Sequence, residues 1–458
     1  MKKSYEIDMC NGPLLSRILL FSLPLICSGI LQLLFNAADI IVVGRFTGSQ
    51  AMAAVGSTSS LINLLVNFFI GISVGANVLI ARFCGGNDFD DAQETVQTAL
   101  WTAITGGMIL IVVGVLAARP MLEWMATPED VLDQAVLYMR IYFIGMPATM
   151  LYNFGAAVLR AVGDTRRPLY FLMMSGVVNV ICNLFFVIVL DLGVVGVASA
   201  TVIAQIISAC LIVYCLTQMD GACHVDLKHM HFHLDKFRRM MQIGLPAGLQ
   251  SVIFNISNVL IQSSINSFGA IVVAGNTAAA NIEGFVYTSM NAIYQTALSF
   301  TSQNLGARQY GRIDQILIRC LILVTCIGLL LGNGAHFFGR ELLSIYSGEA
   351  EVVSYGMARL NVVAVTYFLC GMMDVVAGSV RGMGYSVMPM LVSLAGACVF
   401  RIFWIFTIFR WQHTLFVLYI SYPISWILTV CAHVVCYLVL RRKVFRPVQK
   451  QTNVPSVS

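Results

Sequence analysis

The chain has 458 residues, 58% hydrophobic and only 11% charged, whereas a soluble domain carries about a quarter charged residues. So few charges cannot cover a water-soluble fold of this length, which excludes a soluble enzyme, and the net charge of +5 is spread one-sidedly along the loops, not gathered into a nucleic-acid patch. A β-barrel is excluded too, because its strands alternate apolar and polar residues, while runs such as residues 109–118 and 322–332 are apolar on all sides.

In chain order, residues 1–13 form a tail with Lys2, Lys3, Glu6 and Asp8. It lacks the small-residue cleavage site of a secretory signal peptide and is expected to be cytosolic. Apolar runs long enough to cross a bilayer, about 20 residues each, then predict helices near 15–43, 50–80, 95–118, 131–158, 168–190 and 196–218. A hydrophilic loop at 219–239 follows, and a second set is predicted near 240–266, 272–300, 313–336, 352–379, 387–409 and 414–440. The expected organisation is an N-lobe at 14–218, the inter-lobe loop, a C-lobe at 240–440 and a cytosolic tail at 441–458. The fold class is all-α integral membrane, with twelve transmembrane helices.

Basic residues set the orientation. With both termini cytosolic, Arg160, Arg166, Arg167, Lys228, Arg238, Arg239, Arg441, Arg442 and Lys443 all fall inside, whereas the outside loops hold Arg45, Arg119, Arg340 and Arg410. This predicts a multi-pass protein of the plasma, or inner, membrane.

The two sets of helices echo each other. Leu23-Pro24 returns as Leu245-Pro246 at an offset of 222, the segment at 85–89 returns at 306–310, and Arg160 to Gly163 with Pro168 returns as Arg381 to Gly384 with Pro389, both at 221. Six helices separate each element from its copy, so the repeats are parallel, related by an axis along the membrane normal. Two such lobes joined by a hinge-like loop suggest alternating access.

An ionisable group at bilayer depth is costly and is read as functional by default. Asp39 is either a protonatable or cation-binding carboxylate or a helix-end residue facing the outer water. Asn179 and Asn183, four apart and hence on one helix face, with Thr201 on the next span, would add the oxygen ligands that hard cations take; the alternative is hydrogen bonding between helices. Glu283 and Asp374 either line an ion or substrate path or are neutralised by Arg359 or Arg401. Asn255 and Asn258 are amide candidates for the same C-lobe path. Pro24 and Pro246 each remove a helical hydrogen bond and permit a kink.

Of thirteen cysteines none forms a CxxC pair, and most lie singly inside apolar spans, where they are expected to be small buried hydrophobes. His224, His229, His231 and His233 have no metal-site spacing and read as a solvated linker. No catalytic constellation or phosphate-binding loop is present, so no enzyme activity or cofactor is expected, and the energy for transport must come from an ion gradient or a partner.

These residues together resemble the multidrug and toxic compound extrusion (MATE) family, and within it the bacterial DNA-damage-inducible-type branch. The likeness spans about residues 14–440, carried by Leu-Pro in the first and seventh helices, Ala38-Asp39 followed by Gly44, the turns at Gly85 and Gly306, Arg160 to Asp164, Arg381 to Gly384, and the run from Leu192 to Thr201. The resemblance implies V-shaped six-helix lobes and export of diverse small organic compounds, often cationic, by antiport with protons or sodium ions. It places an N-lobe coupling site on Asp39, Asn179, Asn183 and Thr201, with Pro24 as the bend of the first helix. Relatives with a second carboxylate where this chain has Asn183 make proton coupling the favoured expectation over sodium. The helix-seven acid of other relatives is replaced by the amides Asn255 and Asn258, whereas Asp374 matches their tenth-helix acid. The protein is expected to act as a monomer in the lipid bilayer, without nucleic acid. The competing expectation is a flippase for lipid-linked oligosaccharide, which would need several cationic side chains to hold a pyrophosphate.

Overall fold

The structure, a computed structural model, describes residues 5–125 and 127–452, so residues 1–4 and 453–458 of the two expected tails, Lys2 and Lys3 among them, lie outside the described part. The helices are α1 (Leu14–Phe46), α2 (Ser49–Gly86), α3 (Phe89–Trp124), α4 (Glu129–Ile144), α5 (Met146–Ala161), α6 (Arg166–Val189) and α7 (Gly193–Gln218). The copy comprises α8 (Leu234–Asn266), α9 (Ala270–Gly306), α10 (Tyr310–Phe337), the short α11 (Gly339–Ser344), α12 (Ala350–Ala364), α13 (Phe368–Gly382), α14 (Val387–Phe409) and α15 (Leu415–Thr452). No strand occurs among the described residues.

Nine of these helices are long and apolar enough to cross a membrane, and two bent pairs raise the number to eleven among the described residues: α4 with α5 at 49° and α12 with α13 at 43°. Helix α9 is just as long, at 37 residues, but its asparagines, threonines and Glu283 dilute its hydropathy; it fills the twelfth place. Most helices outrun the apolar stretches that predicted them: the run at 50–80 belongs to a helix ending at Gly86, and that at 95–118 to one spanning Phe89–Trp124. Hydropathy marks the thickness of hydrocarbon, whereas a helix continues into water as long as its backbone bonds are made.

The repeat is written into the backbone as well as the sequence. Left-handed residues recur at one spacing: Gly48 (φ 92°) with Gly269 (97°), Asn87 (59°) with Arg308 (55°), and Gly163 (96°) with Gly384 (93°). Each of the last two pairs ends its helix alike. The Asp88 and Gln309 amides reach back to the Phe83 and Asn304 carbonyls at 2.9 Å, and the Asp164 and Tyr385 amides to Leu159 and Val380 at 2.9 and 3.3 Å. A left-handed residue with such a backward bond satisfies carbonyls that the last turn would otherwise leave open.

Contacts divide the chain into two compact units. One holds Leu19–Val252 with the tail up to Asp8; the other holds the chain from Ile253 onward with Met9–Ile18. Both α1 and α8 therefore change unit along their length. The inter-lobe segment packs within the first unit. The His231 and His233 amides donate to Gln97 Oε1 (3.1 Å) and Thr98 Oγ1 (3.2 Å) on α3, and Lys236 Nζ is paired with Asp91 and Glu94. Because these pairs draw Lys236 into a helical turn, α8 starts at Leu234, inside the expected loop.

Candidate functional site

In the first unit the four expected coupling residues come together from three helices. Asn183 on α6 donates from Nδ2 to Asp39 Oδ1 on α1 at 2.5 Å and to Asn179 Oδ1 at 3.3 Å. Asn179 in turn donates to Thr201 Oγ1 on α7 at 3.4 Å, and the Thr201 hydroxyl donates to the Val197 carbonyl at 3.0 Å. Asn183 and Asn179 are 1% and 6% exposed, and Asp39 is half-buried. Asp39 therefore meets the side-chain amide of Asn183.

Local sequence explains the assembly. Asn179 and Asn183 share one face of α6, and Gly176, one turn earlier, leaves room for the Phe35 ring: a Cβ there would lie 2.0 Å from it. Phe35 is one turn before Asp39 on α1, so the glycine brings the two helices together where the carboxylate must meet the amides. Two residues after Asn183, α6 widens into a π turn at Phe185–Val189, a distortion often found at functional sites.

The donors and acceptors of this cluster do not balance. Both Nδ2 protons of Asn183 are engaged, while Asn183 Oδ1 is buried without a donor. The carboxylate, two amide oxygens and a hydroxyl oxygen are thus held together by few protons, a set that accepts a proton or a small cation. Tyr138 and Tyr142 of α4 lie within electrostatic reach of Asp39. The sequence reading did not single them out, although their spacing of four placed them on one helix face. Pro24 is buried, and α1 runs from Leu14 to Phe46 as one helix through it.

In the second unit the acids separate into two roles. Glu283 of α9 is gripped by Arg359 of α12: Nε donates to Oε1 and Oε2 at 3.0 and 3.2 Å, and Nη2 donates to Oε2 at 2.7 Å. Nη1 of Arg359 donates to Asn276 Oδ1 at 2.7 Å, and Asn276 passes its own protons to Gln262 at 3.2 Å. Asn276 went unnoticed in the sequence, though it lies two helical turns before Glu283 on α9. Asp374 of α13, by contrast, is half-buried, and its carboxylate makes no hydrogen bond or ion pair among the described residues. It lies within electrostatic reach of Tyr287 and Arg381. Asn255 is half-buried and Asn258 exposed on α8. No group of three or more His, Cys, Asp or Glu that could hold a metal occurs among the described residues, so the linker histidines form no such cluster.

A family model described as MatE matches residues 24–185 and again 246–407, the same 222-residue offset that relates Pro24 to Pro246. The chain is 27% identical over 384 residues to the probable multidrug resistance protein YoeA of Bacillus subtilis (strain 168), covering 82% of each chain. It is 25% identical over 356 residues to a FAD transporter of Shewanella oneidensis, covering 76% of this chain and 77% of that one. Its fold is similar to a crystal structure of a MATE protein in the bent conformation, with a TM-score of 0.88 at 20% identity over 99% of this chain and 100% of that one.

Proposed function

The chain belongs to the MatE family of membrane transporters, and from that premise we propose that it exports small, often cationic organic compounds in exchange for an inward-moving ion. The observation that carries the ion coupling is the linked set Asp39, Asn183, Asn179 and Thr201, in which a carboxylate and neutral oxygens outnumber the protons between them. With one carboxylate and no second charge, the set suits a proton better than sodium, because a sodium ion must recover most of its lost hydration from charged or multiple oxygen ligands. No cofactor enters this scheme. The proton binds Asp39 from one side, is released to the other as access alternates, and substrate leaves during the return.

In this reading the protein works as a monomer in the plasma membrane with both termini cytosolic, an orientation supported by the basic residues of the cytosolic loops. The names of relatives span multidrug resistance and FAD transport, so family membership alone leaves the cargo open. The flippase reading has less support. It needs uncompensated cationic side chains for a pyrophosphate, and one of its two deep candidates, Arg359, is neutralised by Glu283.

The test is ethidium efflux from proteoliposomes under an imposed pH gradient or an imposed sodium gradient. Efflux driven by protons alone, and lost in a folded Asp39→Asn variant, is expected. Unimpaired efflux by Asp39→Asn would remove this carboxylate from the mechanism, and efflux driven only by sodium would overturn the choice of ion.

A further inference from the structure

We propose that Arg401 is the anchor of an anion-recognising subsite in the second unit, one that takes the carboxylate or phosphate of a small molecule whose body is apolar or aromatic. The proposal deepens the transport reading, on which it rests for treating the bound molecule as cargo.

Three arginines of this unit are buried to similar depth, 8% exposed for Arg359, 6% for Arg381 and 4% for Arg401, and Arg359 and Arg401 differ in their partners. All three nitrogens of Arg359 are engaged, two with the Glu283 carboxylate and one with Asn276. Arg401 makes one hydrogen bond, from Nε to Ser425 Oγ at 2.9 Å, and the Ser425 hydroxyl donates its proton to the Tyr422 carbonyl at 2.7 Å. Among the described residues, Arg401 has no carboxylate partner. Its two terminal nitrogens carry four N–H donors in a planar fork whose geometry matches two oxygens of a carboxylate or phosphate. Neither terminal nitrogen is among the side-chain atoms buried without a partner, so the fork borders accessible space, where an anion can reach it.

The surroundings hold the fork in place. The guanidinium carbon lies 4.3 Å from the Tyr422 ring centroid and 5.6 Å from that of Trp426. Cation–π attraction of this kind fixes the plane of the group and offsets part of its burial cost without consuming N–H donors. The aromatic wall continues from Tyr422 to Trp426 to Tyr367 to Tyr287, with centroid steps of 5.7, 5.3 and 6.3 Å. Tyr422 and Trp426 are packed in the core of this unit, Tyr367 is half-buried and Tyr287 is 39% exposed, so a flat apolar body would meet the row at its Tyr367 and Tyr287 end. Helix α14 also departs from regular geometry on both sides of Arg401, with π turns at Leu394–Val399 and Ile405–Phe409, a distortion frequent at functional sites.

Two fluorescent probes test the proposal on the full-length protein in nanodiscs: dansylglycine, an aromatic carboxylate, and dansylamide, the same ring without the acid. In discs of zwitterionic lipid the wild type is expected to bind dansylglycine on the order of ten-fold more tightly. Inorganic phosphate should compete with dansylglycine and leave dansylamide in place. Arg401→Gln should bind both probes equally, and Arg401→Lys, which keeps the charge and loses the fork, should recover only part of the preference. If Arg401→Gln does not fold, the phosphate competition on the wild type still decides. Equal wild-type affinity for the two probes, or binding of both weakened equally by Arg401→Gln, would overturn the proposal and leave Arg401 a packing residue. Repeating the titration in discs with an anionic phospholipid separates the sources of the anion: loss of dansylglycine binding there assigns the fork to a lipid headgroup, and unchanged binding assigns it to a soluble cargo. Ethidium efflux by the wild type is measured in parallel. Its absence would sink the transport reading whatever the probes show, and its presence with no carboxylate preference would sink only the subsite.

Discussion

Glu283 and Asp374 are both carboxylates on helices of the second unit, and what surrounds each one separates them. Glu283 is held by three N–H···O contacts to Arg359. Removing one partner of a buried pair leaves the other charge uncompensated, so Glu283→Ala is expected to cost about 3–5 kcal/mol, measurable as a lower unfolding temperature in detergent. Adding Arg359→Met to that variant should return much of the loss, since an apolar pair can replace a buried ion pair. At the turn between α5 and α6, Asp164 caps α6: its Oδ1 accepts from the Arg166 and Arg167 amides at 3.0 and 3.1 Å, and Arg167 pairs with Oδ2 at 3.3 Å. Burial nonetheless outweighs these bonds and raises its carboxyl above the usual range. A carboxyl with a raised folded-state pKa stabilises the fold below its unfolded-state pKa, and that contribution is lost as pH rises through the folded value. Asp164→Asn should therefore gain stability relative to the wild type as pH is raised from about 4 towards neutrality, followed by thermal unfolding across pH. A wild type that gains instead would reverse the sign argued here.

Between helices, close approach is set by glycine. In the first unit α2 and α8 meet at Gly71 and Gly75 on one side and Gly244 and Gly248 on the other, each pair spaced by four. A Cβ on Gly71 would lie 2.4 Å from the Gly248 backbone, and one on Gly75 would lie 2.1 Å from the Met240 carbonyl. Without a strong hydrophobic drive in lipid, helix pairing depends on such contact between backbones. Gly75→Ala should therefore lower the unfolding temperature and the efflux rate, whereas Gly56→Ala, with nothing within 4 Å of its added methyl, should change neither. Equal behaviour of the two variants would show that the crossing tolerates separation. The glycine spacing was visible in the sequence, but a glycine on a transmembrane helix signals close packing only once the facing element is known.

For the whole molecule, the segment joining the repeats is strapped to the N-terminal end of α3. Lys236, almost fully buried, is paired with Asp91, Glu94 and Asp235, and His231 and His233 bond the same helix through their amides. Lys236→Ala should loosen this strap and speed tryptic cleavage at Lys228 several-fold, read from fragment appearance over time; unchanged cleavage would mean that the backbone bonds alone hold the segment. A hydrophilic run between apolar runs is legible as a connection. Its attachment to one helix is not, because Asp91, the α3 partner of Lys236, lies 145 residues away.

The sequence by itself determined the membrane class, the helical content, the 221–222-residue repeat and the short roster of charged and amide residues at bilayer depth, because hydropathy, charge sparsity and period are properties of the chain read along its length. It also grouped Asn179 with Asn183 and pointed to Asp39, since helical spacing is local. Only the tertiary structure decided which of those residues are satisfied. Asp39 meets Asn183 across 144 positions and Glu283 meets Arg359 across 76, while Asp374 and the Arg401 fork are left without such partners. A buried charge has its energy set by the few atoms within hydrogen-bond reach, and the packing of distant helices chooses those atoms.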